Sequence, residues 1–180
     1  MPLRPPGDPL REQWDTMTLQ QWLDQWLRKP PAVQARVQTA LDFLQRHYGA
    51  ARADKILSEI RCIDFSRPVE LPFIAPKTIL LGSKDPRVSP YRAVYFTKSG
   101  HQADRLGIAP SGAMRTSPKV LDKVIYRYEV LVAIPAGEVL QSTCAPAADT
   151  WSIPGRRLLA AGGGLQYLIP NMNRYLRYID

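Results

Sequence analysis

The stretch best equipped for chemistry is Gly162–Gly163–Gly164–Leu165–Gln166–Tyr167. Three glycines remove side-chain bulk and let backbone N–H groups approach a ligand, so Gly163 and Gly164 are candidate binding positions. Gln166 opens a short apolar run, Gln166–Ile169, that Pro170 closes. An amide held at the mouth of a strand can donate to and accept from a vicinal diol such as a ribose. The same letters also fit a loop before an edge strand, with Gln166 facing solvent. A second stretch, Tyr95 to Gly100 followed by Arg105 to Pro110, joins an aromatic strand, a turn and a guanidinium. Arg105 there can clamp a diphosphate through two parallel hydrogen bonds. Paired with its neighbour Asp104 it would be an ordinary surface residue. Tyr95 and Phe96 alternate faces, so one can stack on a ligand ring while the other fills the core. In Tyr126–Arg127–Tyr128–Glu129–Val130 the tyrosines and Val130 share a face. Arg127 either sits exposed beside Glu129 or faces the same cleft as Arg105. Arg87 and Arg92 are further phosphate candidates.

Composition narrows the chemistry. The chain has 180 residues and two cysteines, Cys62 and Cys144, which excludes a disulfide framework and a cysteine-rich zinc site. Two histidines, His47 and His101, argue against a histidine-based metal centre, so no metal is expected. The triphosphate-binding loop, the H-E-x-x-H helix and the G-x-S-x-G elbow are all missing. No apolar run approaches the roughly 20 residues of a membrane-spanning helix. The opening residues lack an apolar core of the signal-peptide type, so no Sec signal peptide is expected there.

Charge is distributed unevenly. Residues 1–60 carry eight Lys/Arg against seven Asp/Glu, whereas residues 61–180 carry sixteen against nine, a net of +7. The C-terminal two-thirds should attract an anion: a phosphate-bearing small molecule, a nucleic acid or an acidic protein. A solvated basic face that serves solubility would carry the same charge.

The elements that must position these groups divide into two textures. Thr18 caps a predicted helix in which Leu19, Trp22, Leu23, Trp26 and Leu27 recur at helical spacing until Pro30 and Pro31. A second helix is predicted from Ala32, with Val33, Val37, Ala40, Leu41, Leu44 and Tyr48 on its stripe and Gly49 as C-cap. A third runs from Ala51 to Ile60. Strands are predicted at Val69–Ile74, Thr78–Leu81, Ala93–Thr97, Val124–Ile134, Val139–Ser142 and Gln166–Ile169, and one helical turn at Gln102–Leu106. The expected fold is α+β. A helical unit over residues 1–61, suited to docking or delivery, precedes a compact, bent antiparallel β-sheet domain over 62–180.

Taken together, Tyr126–Val130, Ile134–Pro135–Ala136–Gly137 and the glycine bend with Gln166 resemble the tuberculosis-necrotizing-toxin family of NAD glycohydrolases. Tyr95–Phe96, Gly100, Arg105–Leu106 and Ala109–Pro110 resemble that family's middle segment. Ile63–Val69 and Leu140–Thr143 are similar to interbacterial toxin domains, including NADase effectors of type VI secretion. The resemblance spans roughly residues 63–170. It implies a fold related to ADP-ribosyltransferases, with NAD+ or NADP+ as substrate and no cofactor. Gln166 matches the catalytic glutamine, Arg105 a phosphate-holding arginine and Tyr95 an aromatic of the nicotinamide pocket. The family's first-strand arginine has no counterpart in Thr78–Gly82, which leaves Arg92 or Arg87 for that task, and Arg127 stands where the family carries a histidine.

The implied reaction is cleavage of the nicotinamide–ribose bond through an oxocarbenium-like state. Arg105, with Arg92 or Arg127, would anchor the pyrophosphate. Tyr95 or Phe96 would pack on nicotinamide, and Gln166 would grip the ribose and position water. Two other readings stay open. Transfer of ADP-ribose to protein or RNA is one, although such enzymes commonly place a glutamate at the position of Gln166. A basic nucleic-acid-binding module using Arg87, Tyr91, Arg92 and Lys98 is the other, less favoured reading. A toxin acting in a target cell's cytoplasm needs restraint in its producer. The expected partners are an acidic cognate immunity protein over the basic region, and a secretion component or chaperone at residues 14–61.

Overall fold

A computed structural model of the chain describes residues 17–84, 89–98, 124–145, 147–149, 158–160 and 162–180. Three helices lead: α1 (Leu19–Asp24), α2 (Pro31–Tyr48) and α3 (Ala53–Ile60). Strands β1 (Ile79–Lys84), β2 (Tyr95–Phe96), β3 (Val124–Val130), β4 (Leu140–Thr143), β5 (Ala147–Asp149), β6 (Leu158–Ala160) and β7 (Leu165–Leu168) follow. Helix α4 (Met172–Tyr175) and strand β8 (Leu176–Tyr178) close the chain.

Local chemistry explains the helical ends. Thr18 caps α1 with a reciprocal box: Gln21 N–H donates to Thr18 Oγ1 at 3.1 Å, and Thr18 N–H donates to Gln21 Oε1 at 2.9 Å. The helix stops at Asp24, short of the predicted run to Pro30. Beyond it the N–H groups of Trp26, Leu27 and Lys29 reach back only three residues, a tighter winding that turns Leu27 outward to 69% exposure. Pro30 and Pro31 disfavour helical backbone just before them, and Gln34 Nε2 donates to the carbonyls of Leu27 and Lys29 that this leaves open. Pro31 then sits at the first position of α2, where its missing N–H costs nothing. Gly49, at φ 87°, ends that helix as predicted.

The strands form two three-stranded antiparallel sheets, ordered β1-β3-β8 and β2-β7-β4, while β5 pairs with β6. A bridge between Leu81 and Thr97 links the two larger sheets. One core fills the space between them: Leu80, Tyr128, Val130 and Leu176 from the first meet Phe96, Tyr167 and Ile169 from the second. A second core lies on the other side of β2-β7-β4. There Val37, Ala40, Leu41, Phe43 and Leu44 of α2, with Ile56 and Ile60 of α3, cover Phe65, Leu140 and Leu168. The order of layers is therefore helices, sheet, sheet. Trp22 and Trp26 serve this second core. Their rings lie 5.9 and 5.3 Å from that of Phe65, so the pair packs inward rather than forming a docking face. Helix α2 is also tied to the turn before β4, since Arg46 Nη2 and His47 Nε2 each lie 2.8 Å from the Gly137 carbonyl oxygen.

Three predicted strands change. Val69–Ile74 makes only isolated bridges, Glu70 to Gln141 and Ile74 to Ile134, because Pro72 has no N–H to continue a ladder. The long run from Val124 ends as a strand at Val130, where Leu131 N–H turns to the Tyr175 carbonyl. Ala93–Thr97 narrows to two residues plus the Thr97 bridge. Strands β5, β6 and β8 and helix α4 are additions to the predicted elements. Each is three or four residues long, too short for periodicity to register, and depends on a distant partner. The predicted turn at Gln102–Leu106 lies outside the described residues.

Candidate active site

Gln166 lies on β7, the central strand of its sheet, opposite Ser142 of β4. Side chains alternate along β7. Tyr167 enters the core between the sheets, so Gln166 and Leu168 face the helices. The residue is 7% exposed, which removes the solvent-facing alternative. Its Nε2 donates to Ser142 Oγ at 3.2 Å and, over a longer 3.4 Å, to the Cys62 carbonyl. A carbonyl only accepts, so the amide's orientation is set by chemistry, and Oε1 is the end these two contacts leave unused.

The glycine bend is equally well held. Gly163 N–H donates to the Cys144 carbonyl at 2.8 Å, and the Gly164 carbonyl accepts from Cys144 N–H at 2.9 Å. Gly162 and Gly163 take φ values of 70° and 87°, which side chains with a Cβ rarely adopt. Gly164 and Gly163 lie one and two residues before β7, and the Gly163 N–H is given to the Cys144 carbonyl.

Tyr95 lies on the same face of the sheet, opposite Leu168. Its hydroxyl donates to Glu59 Oε2 from α3. Glu59 Oε1 also accepts from Lys55 Nζ at 2.6 Å, one helical turn earlier. Burial, reinforced by the Glu59 carboxylate, pushes the Tyr95 phenol well above its ordinary value of 10.0. The same causes, in the same order, raise Tyr48 to about 12. Phe96 points the other way, into the core between the sheets, with its ring 5.1 Å from that of Tyr128.

The arginines are distributed differently. Arg127 is half-exposed on β3 of the other sheet, where its Nη1 lies 3.1 Å from Asp180 Oδ2. Arg92 is exposed at the end of a short helical turn, Pro90–Arg92, whose Pro90 carbonyl accepts from the Tyr128 hydroxyl at 2.5 Å. Arg105 and Arg87 lie outside the described residues. The structure therefore places Gln166 and Tyr95 on one face of β2-β7-β4, with Gly163 and Gly164 just ahead of β7, and places Arg127 and Phe96 elsewhere. A surface hollow of about 360 Å3 near the end of β7, lined by Pro170, Asn171, Asn173 and Arg174, includes none of these residues.

Neither cysteine is poised as a nucleophile. Burial raises the Cys62 thiol above 9.0 and the Cys144 thiol to about 12, which keeps both protonated near neutrality. Among the described residues no group of three or more His, Cys, Asp or Glu could hold a metal ion, and no helix is long and apolar enough to cross a membrane. The sequence reading missed Glu59, Ser142 and the Cys62 carbonyl. Glu59 had a signal: it shares the stripe of α3 with Ile56 and Ile60, where a carboxylate needs a partner.

Comparison with known proteins agrees with this architecture. The model of the family described as bacterial toxin 46 matches residues 28–175, running through α2, α3 and the sheets. The NAD(P)(+) glycohydrolase toxin Tse6 of Pseudomonas aeruginosa is 34% identical over 104 residues, which are 58% of this chain and 23% of that protein. The chain thus spans about a quarter of the length of this relative. A solved structure of Tse6 in complex with Tsi6 superposes with a TM-score of 0.64 at 25% identity, covering 84% of this chain and 98% of that one. The resemblance to toxins of the NAD glycohydrolase kind, read from the sequence, is met by these matches, and the expected α+β architecture is the one observed.

Proposed function

This chain belongs to the bacterial toxin 46 family, and from that premise we propose that it hydrolyses NAD+ or NADP+ to nicotinamide and ADP-ribose or its phosphate. The observation that carries the reading is its likeness, in sequence and over most of its fold, to a toxin that is an NAD(P)+ glycohydrolase.

The bond that breaks joins ribose C1′ to the ring nitrogen of nicotinamide. Its electron pair leaves with nicotinamide, which departs as a neutral base and needs no acid. Water adds to C1′ and releases a proton. The barrier lies at an oxocarbenium-like ribose, as in glycoside cleavage generally. Residues that hold the ribose and orient water lower it by positioning. We assign that task to Gln166, whose amide nitrogen is anchored by Ser142 and Cys62 and whose Oε1 can accept from a ribose hydroxyl. The glycine bend at Gly163 and Gly164 brings backbone close to the same point. The pyrophosphate falls to the arginines, with Arg92, Arg87 and Arg105 as candidates, since Arg127 lies on the other sheet and pairs with Asp180. Aromatic packing on nicotinamide falls to Tyr95, since Phe96 is buried in the core between the sheets.

The net +7 of residues 61–180 supports an acidic protein partner that restrains the toxin where it is made, and the related toxin was solved with a bound protein. The proposed place of action is the cytoplasm of a target cell, reached by an interbacterial secretion route, with residues 14–61 as a docking unit.

The deciding experiment incubates purified protein with NAD+ and with NADP+ and quantifies nicotinamide and ADP-ribose products by chromatography. Stoichiometric release of both is expected. Label retained on a macromolecule would replace hydrolysis with transfer. No nicotinamide, together with salt-sensitive retention of DNA or RNA, would overturn the reading in favour of a binding module.

A further inference from the structure

The proposed mechanism leaves one buried charge unused. Glu59 is 8% exposed, in the last turn of α3, with an ammonium on one carboxylate oxygen and a phenol on the other. Removing a carboxylate from water is costly, and an apolar residue of similar size would serve packing as well or better. A buried polar cluster with its partners in place instead fixes one arrangement of the elements that carry it.

Those elements form a closed circuit through Gln166. Glu59 is fastened by Tyr95 to β2, and β2 is paired with β7 in the register Tyr95 to Leu168, two residues from Gln166. From the other side, the Glu59 main-chain carbonyl accepts from Cys62 N–H at 3.1 Å. The Cys62 carbonyl in turn accepts from Ala145 N–H at 2.9 Å and from Gln166 Nε2 at 3.4 Å. The carboxylate therefore sets where the C-terminal turn of α3 rests on the sheet, and that turn presents the carbonyl that orients the Gln166 amide.

We infer that Glu59 and Tyr95 are positioning residues that act through the Cys62 carbonyl to hold the Gln166 amide in its working orientation. The inference rests on the proposed role of Gln166. It assigns the Tyr95 hydroxyl to this tether. The phenol stays a donor across the whole working pH range, since burial and the neighbouring carboxylate both oppose its ionisation.

Tyr95→Phe removes the donor and little else. Two measurements test the inference, and one does not depend on turnover. The side-chain amide resonances of Gln166, identified by their disappearance in Gln166→Ala, should shift in Tyr95→Phe while backbone resonances of β1-β3-β8 stay in place. In the NAD+ assay, Tyr95→Phe should lower kcat on the order of 10- to 100-fold with KM nearly unchanged, the scale of a small misplacement of a catalytic group. In a Gln166→Ala background the same change should have no further effect on residual turnover, because the two act as a unit. Glu59→Gln keeps an acceptor for Tyr95 and should retain more activity than Glu59→Leu. Unmoved Gln166 amide resonances in folded Tyr95→Phe would overturn the inference, as would equal losses in both backgrounds. A wild-type protein that releases no nicotinamide would remove the functional reading instead, and the resonances would still decide the tether.

Discussion

The Gln166 amide nitrogen lies 3.2 Å from the Ser142 hydroxyl oxygen, across the ladder that joins the central strand β7 to β4. Two polar side chains meet on a face otherwise given to Leu140 and Leu168. Gln166→Ala leaves the Cys62 carbonyl and Ser142 short of a partner, so a stability loss of about 1–3 kcal/mol is expected. Nicotinamide release should fall by a factor on the order of 100 or more, the cost of losing a group that stabilises developing charge. Denaturant titration and the NAD+ assay on the same preparation separate the two effects. A folded variant with wild-type turnover would dismiss Gln166.

Arg127 allows the opposite separation. Its pairing with Asp180 is half-exposed and screened by water, so Arg127→Ala should cost less than about 1 kcal/mol in stability. Any large fall in turnover would then report contact with substrate rather than damage to the fold. Thermal unfolding beside steady-state kinetics reads both.

Stability should decline at alkaline pH, beginning with the buried Cys144 thiol. Cys144 titrates near 9.0 when unfolded but only at about 12 when folded. Below pH 9 both states are protonated and its contribution is complete. Above pH 9 the unfolded chain alone ionises, and stability falls by about 1.4 kcal/mol per pH unit for such a group. Burial raises Tyr48 from 10.0 to about 12, so the slope steepens above pH 10. Urea unfolding from pH 8 to 11 should show this onset, and Cys144→Ala should make the initial slope shallower. A flat profile would mean that these groups are open to solvent.

Gly137 tests the fastening of α2 to the sheets. Its φ is 95°, and a Cβ placed there would come within 3.2 Å of Arg46 Nη2. Gly137→Ala therefore meets an unfavourable backbone angle and crowds a guanidinium that donates to the same residue. A loss of about 1–3 kcal/mol is expected, visible as a lower unfolding midpoint. Tryptophan fluorescence will follow the transition, since Trp22 and Trp26 pack on Phe65 within the helical core.

Much of the helical layer was legible because its signals are local. Thr18 with Gln21, Pro31 and Gly49 act on backbone groups within four residues of themselves, and Val37, Ala40, Leu41 and Leu44 mark one face by spacing alone. Strand positions from Ile79 and Leu140 were legible as short apolar runs between turns. Helix α4 and strand β8 were not, because Leu176, Arg177 and Tyr178 are a strand only by virtue of Val130, Glu129 and Tyr128 opposite them.

The site divides along the same line. The residues that resemble a toxin family, the glycine bend and the presence of an amide at Gln166 are properties of the order of letters, since backbone freedom and functional groups travel with the residue. Which face of β7 the amide takes, and that a carbonyl from the end of α3 and a hydroxyl from β4 hold it, depended on pairing between segments 24 and 104 residues apart. Tyr95 makes the same point: alternation requires it and Phe96 to face opposite ways, but not which way. That choice follows from burying Phe96 against Tyr128 and bringing Glu59 a donor, two requirements met only once the helices and both sheets have closed around β7.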